Sequence, residues 1–137
     1  MSPDDTSPDF PRQPVYIAGP LAADTLAERR EHYRRIVALT RYAIRQGFAP
    51  VCPHLTIGVP MGWPEVGESP EARAAGLETS MALLGAVVGA GGVVWALRRD
   101  DGSLSAGTEA EVAWADRRSV YIVSSGPWAE WCAVGVE

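Results

Sequence analysis

The side chains best placed to do chemistry lie in Ser103-Leu104-Ser105-Ala106-Gly107-Thr108-Glu109-Ala110-Glu111, between the apolar run 93–97 and the alternating run 119–123. The first run reads as a buried strand and the glycine-containing linker as a loop. Thr108 then reads as the opening of a helix that carries Glu111, Val112 and Ala115. In α/β proteins ligands sit where strand ends feed helix N-termini, so a carboxylate one turn into that helix can meet a ligand. Thr108-x-x-Glu111 also fits a capping box, in which hydroxyl and carboxylate satisfy free backbone N–H groups. On this segment alone both readings stand.

Other polar and aromatic groups belong to the same inventory. Tyr16 lies in the short apolar run 15–18, just before Gly19-Pro20, and is either a ligand-facing phenol or a half-buried strand aromatic. His54 follows the run 48–52 and either binds a ligand or donates to a backbone carbonyl. Trp63 sits in a Pro- and Gly-rich segment, 53–69, that reads as a loop over the strand ends. Its ring would suit stacking on a nucleobase or packing the loop down. Arg29 and Arg30, nearest the Gly19-Pro20 loop among the arginines of the first helix, are the two to watch as phosphate contacts.

These groups need elements to hold them. Thr25 and Glu28 fit a capping box, and Leu26, Tyr33, Ile36, Val37, Thr40, Ala43 and Ile44 recur at helical spacing up to a stop at Gly47. A strand is expected at 48–52. Ser69-Pro70-Glu71 opens a helix that should run to about residue 84. The glycine-rich 85–92 then reads as a helix end and turn into the strand at 93–97; it precedes a strand, so it is no dinucleotide fingerprint. Strand and helix alternate throughout. This predicts a three-layer flavodoxin- or Rossmann-like α/β domain over 15–137, with a parallel sheet of about four to five strands. Residues 1–14 read as a flexible or loosely docked tail, and the apolar 128–134 as a cover for the sheet edge or a neighbouring subunit.

Composition narrows the function classes. At 137 residues the chain is long enough for one domain with a real core. A net charge of −5 argues against a nucleic-acid polymer or an anionic membrane as partner. All twelve basic side chains are arginine, which excludes Schiff-base chemistry and lysine-dependent phosphate loops. Cys52 and Cys132 lack metal-ligand spacing and the two histidines add little, so no metal or cofactor is expected. No export-type leader and no span of about twenty apolar residues is evident, which fits a cytoplasmic protein with reduced thiols.

Three motifs occur in a telling order: Tyr16-x-Ala18-Gly19-Pro20 after the first strand, Pro50-x-x-Pro53-His54-Leu55 after the first helix, and Ser105-x-Gly107-Thr108-x-x-Glu111 before the last. Together they resemble the nucleoside 2-deoxyribosyltransferase-like superfamily, which includes nucleoside 5′-monophosphate N-glycosidases, over about residues 14 to 124. The resemblance implies a nucleoside or nucleotide substrate, cleavage or transfer at its N-glycosidic bond, and Glu111 as the nucleophile that meets an oxocarbenium-like C1′. It makes Tyr16 the group that positions Glu111, whose carboxylate must be ionised to act. Gly19, Pro20, Ser105, Gly107 and Thr108 become substrate-binding positions, with His54 and Trp63 beside them. A serine at 105, where transferases acting on free nucleosides tend to carry aspartate, suits a 5′-phosphate. Relatives form homodimers or larger homo-oligomers, in which Ser124 and Ser125 could reach a neighbour's site.

One departure stands out. Family members carry an aspartate before the third strand that serves the leaving base, whereas 81–89 contains no acid. Glu78, Asp100 and Asp101 are the possible substitutes. The alternative reading is a non-catalytic nucleotide sensor of the same fold. A phosphoribohydrolase of the cytokinin-activating type ranks lower, since it expects a Pro-Gly-Gly-x-Gly-Thr run that Ser103–Thr108 lacks.

Overall fold

The computed structural model describes residues 12–20, 23–67 and 69–118, together with the backbone of 122–123. Its elements alternate along the chain as β1 (Pro14–Ala18), α1 (Leu26–Arg45), β2 (Ala49–Val51), α2 (Pro70–Gly89), β3 (Val93–Ala96), α3 (Ala106–Asp116) and β4 (Ile122–Val123). The strands form a small open sheet, parallel throughout, in the order β2-β1-β3-β4. The chain is thus mixed α/β, with Ser124, Ser125, Cys132 and the apolar 128–134 outside the described residues.

Successive side chains of a strand point to opposite faces, and this pleat splits the core in two. Val15 and Ile17 of β1, with Trp95 of β3 and Leu97 just beyond it, pack against Ile36, Leu39 and Ala43 of α1. Tyr16, Ala18 and Val94 face the other way, toward Leu84 and Val87 of α2 and Ala115 of α3. Each fully buried leucine or isoleucine contributes about 1.5–3 kcal/mol relative to exposure.

The local signals that start and stop α1 operate as their chemistry requires. Thr25 and Glu28 form the capping box, and Gly47 takes φ +91°, which lets the chain turn back into β2. Residues 12–14, read as part of a tail, are tied to the domain. Pro14 already pairs in β1, the Arg12 guanidinium donates to the carbonyls of Ile44 (2.8 Å) and Phe48 (3.1 Å), and the Gln13 amide donates to Gly91 O. Carbonyls at and just past helix ends lack intrahelical partners, and these two side chains supply them.

α2 opens as expected, with the Ser69 hydroxyl accepting from the Ala72 N–H. It then runs five residues past its expected end, through Gly85 to Gly89, because Leu84 and Val87 bury against the sheet. A glycine inside a helix costs about 1 kcal/mol, less than that burial returns. The segment read as an irregular loop contains a π-helical turn, His54–Gly58, and a 3-10 turn, Val59–Met61.

The strand order has a consequence for function. α1 carries the chain from β1 to β2 on one side, and α2 returns it across β1 to β3 on the other. The carboxyl ends of β1 and β3 therefore flank the point where the topology switches direction, which is where open α/β sheets bind ligands.

Candidate functional site

The chain after β3 folds into a tight turn before α3: the Arg99 N–H donates to Ser103 O (2.7 Å) and the Gly102 N–H returns to Arg99 O (2.8 Å). Ser105 then adopts an extended backbone, and its hydroxyl accepts from the Thr108 N–H at 3.2 Å. Ser105 is the helix cap, so α3 starts at Ala106 and not at Thr108, and the capping-box reading of Thr108 and Glu111 does not hold. With that start Thr108, Glu111 and Ala115 fall on one helix stripe and are all buried. Glu111 thereby points inward at the switch point, with only 7% of its surface exposed.

Glu111 meets Tyr16 there. The fully buried Tyr16 hydroxyl donates to Glu111 Oε2 and lies 3.2 Å from the Ser80 carbonyl oxygen. Burial raises the Glu111 carboxyl above the ordinary carboxylate range, while hydrogen bonds from the Tyr16 and Ser80 side chains pull it back down. Desolvation is the larger effect, so the net shift is upward. Burial and the neighbouring Glu111 charge push the Tyr16 phenol well up, so it remains a proton donor across the working pH range. The same burial raises the Cys52 thiol to about 12 and keeps it protonated.

A cleft of about 470 Å³ opens over this pair, within the range of small-molecule sites. Gly19 and Pro20 contribute from the end of β1; Ser105, Gly107, Thr108 and Glu111 contribute from α3. A Cβ at Gly19 would lie 3.0 Å from Leu97 Cδ1, so glycine lets the ends of β1 and β3 close against each other. Ile57, Met61, Val66 and Leu77 give an apolar wall. His54 and Trp63 also line the cleft, whereas Tyr16 sits behind Glu111 and does not. Among the described residues no group of three or more His, Cys, Asp or Glu could hold a metal ion.

Several lining residues are already engaged. His54 Nε2 lies 2.8 Å from Pro20 O; a carbonyl partner makes this nitrogen the protonated one, leaving Nδ1 toward Cys52 Sγ at 3.8 Å. Burial lowers the His54 pKa to about 4, so the ring is neutral and ties the β1–α1 loop to the turn after β2. Trp63 is buried edge-on against Tyr33 and His54, with centroids 6.0 and 5.5 Å away, which is the loop-packing role. Its indole Nε1 is buried without a hydrogen-bond partner. The Ser105 hydroxyl serves as the α3 cap and pairs with Thr108 Oγ1 at 2.7 Å.

The arginines differ from expectation. Arg29 donates to Pro64 O and Ala23 O, and Arg30 forms a two-pronged pair with Glu65. Both hold down the segment over the strand ends. Arg73, in the first turn of α2, and Arg99, after β3, line the cleft instead. Sequence reasoning passed over them; the usable signal was their place just after a helix cap and just after a strand end. Glu78 is exposed on α2, Asp100 pairs with Arg35, and Asp101 accepts from Ser103, so none of the three reaches the cleft wall. Among the described residues Glu111 is the one carboxylate that does.

Residues 13–125 match the model of a family described as a domain of unknown function, DUF7768, and the chain belongs to that family. No curated protein and no solved structure matches it. Among the described residues no helix is long and apolar enough to cross a membrane.

Proposed function

We propose that this DUF7768 member cleaves or transfers at the N-glycosidic bond of a nucleoside or nucleoside 5′-monophosphate, with Glu111 as nucleophile. The observation that carries this reading is the Tyr16–Glu111 pair, buried at the switch point with Glu111 on the cleft wall and Tyr16 behind it. A carboxylate steadied by a phenol suits attack on an electron-poor sugar carbon. Glu111 bonds to C1′ as the C1′–N bond breaks, and the base departs with the electron pair and takes a proton from solvent. Water or a second base then attacks C1′, loses its proton, and frees Glu111 as carboxylate. Tyr16 positions Glu111 and favours its ionised form.

The motifs that resemble the nucleoside 2-deoxyribosyltransferase-like superfamily support the same reading, as does the strand order, which suits a three-layer flavodoxin-like fold. In this reading the protein works as a cytoplasmic homodimer or larger homo-oligomer. The absence of a second carboxylate on the cleft wall, among the described residues, favours a nucleotide sensor as the second reading, because a poor leaving base departs slowly without an acid. A chromatographic screen for free base, over nucleosides and 5′-monophosphates with and without an acceptor base, separates the two. Release that vanishes in Glu111→Gln supports the enzyme; nucleotide binding without release supports the sensor.

A further inference from the structure

Beside the cleft lies a second cavity of about 600 Å³, and the two share Trp63, Gly67, Arg73 and Arg99 as a common wall. The cavities differ in character. The first is mostly apolar around one buried carboxylate; the second is lined by charged and polar groups, among them Asp24, Glu28, Arg29 and His32. Several of those groups are committed to the fold. The Glu28 carboxylate accepts from the Thr25 N–H and hydroxyl, and Arg29 donates to the carbonyls of Pro64 and Ala23. Arg73 and Arg99 come from separate elements, α2 and the β3–α3 connection, and both line the two cavities.

The Arg99 backbone is pinned by the turn through Ser103 and Gly102, while its Nη1 makes only long contacts, 3.4 Å to Ser103 Oγ and 3.5 Å to Leu104 O. A guanidinium has five N–H donors in a rigid fork, so Arg99 retains donors for a ligand. Two arginines on one shared wall, supplied by different elements, match a tetrahedral dianion better than a neutral hydroxyl. Trp63 adds a buried indole N–H with no partner to the same wall. The Ser105 hydroxyl, by contrast, already serves the start of α3.

We infer that the junction of the two cavities is a phosphate subsite formed by Arg73 and Arg99, and that the preferred ligands are phosphorylated N-glycosides whose phosphate chain continues into the second cavity. This rests on the glycosidic reading of the Glu111 cleft for the placement of the sugar, and it adds the residues that select the phosphate. Charge-assisted, two-pronged hydrogen bonds set the expected size of the effect at about tenfold or more per arginine.

The test is calorimetric binding of adenosine, cytidine and their 5′-mono- and 5′-diphosphates to the full chain and to Arg73→Gln and Arg99→Gln, with thermal melts to verify folding. The wild-type chain should prefer monophosphates to nucleosides by at least about tenfold, and accept diphosphates at least as well. Each substitution should shrink that preference by about tenfold. Equal affinity for nucleosides and monophosphates, an unchanged preference in both variants, or diphosphates bound tenfold worse than monophosphates would overturn the subsite. Measuring base release alongside keeps the two claims apart: arginine-dependent phosphate preference without release upholds the subsite and removes the glycosidase. Release from nucleosides with no phosphate preference does the reverse.

Discussion

Glu111 and His54 face the same cleft and are both buried, yet burial has given them opposite roles. His54 bonds a backbone carbonyl, Pro20 O, and is held neutral with its pKa near 4. Its polar capacity goes into joining two loops. Glu111 bonds a side chain, Tyr16, and its carboxyl remains part of the cleft wall. A buried titratable group whose partner is backbone is fixed to the fold, whereas one whose partner is another side chain stays available for chemistry. In this cleft the identity of the partner separates scaffold from reagent better than burial does.

The strongest way to break this contrast is Glu111→Gln. Loss of the attacking oxygen should reduce base release by at least about a thousandfold, as for other covalent nucleophiles. The folded chain should be no less stable. Burial raises the Glu111 pKa, so ionising this group as pH rises through that raised value weakens folding, and the neutral amide avoids the cost. A melt at pH 8 that falls markedly below wild type would make Glu111 a structural residue like His54.

His54 should show its role in stability against pH. Its pKa is lowered from 6.5 to about 4, so the unfolded chain takes up a proton that the folded chain resists. Stability is full above pH 6.5 and falls by about 3 kcal/mol as pH drops to about 4, at 1.36 kcal/mol per pKa unit. Chemical denaturation of wild type and His54→Gln between pH 7 and 4 checks this. The variant should lose much of the slope; an identical slope would remove the assignment.

Tyr16→Phe sharpens the comparison from the other side. Turnover should fall about 10- to 100-fold. The acid limb of the rate profile should move to higher pH, because a hydrogen bond that lowers the Glu111 pKa is gone. A fall in rate with the limb unmoved would make Tyr16 packing alone. Ser105→Ala should have the smallest effect, about 1 kcal/mol of stability from loss of the α3 cap, measured by denaturant midpoint.

Much of the scaffold was legible in the chain because its signals are local. Thr25 with Glu28 marked the start of α1, Gly47 its end, and Ser69-Pro70 the start of α2. Where tertiary burial outweighs local preference the reading drifted: Gly85 looked like a stop, but Leu84 and Val87 carried α2 past it. Ser105 was read for its hydroxyl chemistry and Thr108 for its cap, but the Ser105 hydroxyl accepts the Thr108 N–H and caps α3 itself. Arg29 and Arg30 against Arg73 and Arg99 shows the harder case. Where a long side chain ends is set by which loop crosses it, and spacing along the chain does not encode that.

The most direct test of the central claim is base release from a panel of nucleosides and 5′-monophosphates by the wild-type chain and by folded Glu111→Gln. Release by the wild type, lost by at least about a thousandfold in the variant, is the expected result. Equal release by the two proteins would contradict the nucleophile. No release by either, in protein that still binds a nucleotide, would contradict the enzyme and leave the cleft a sensor.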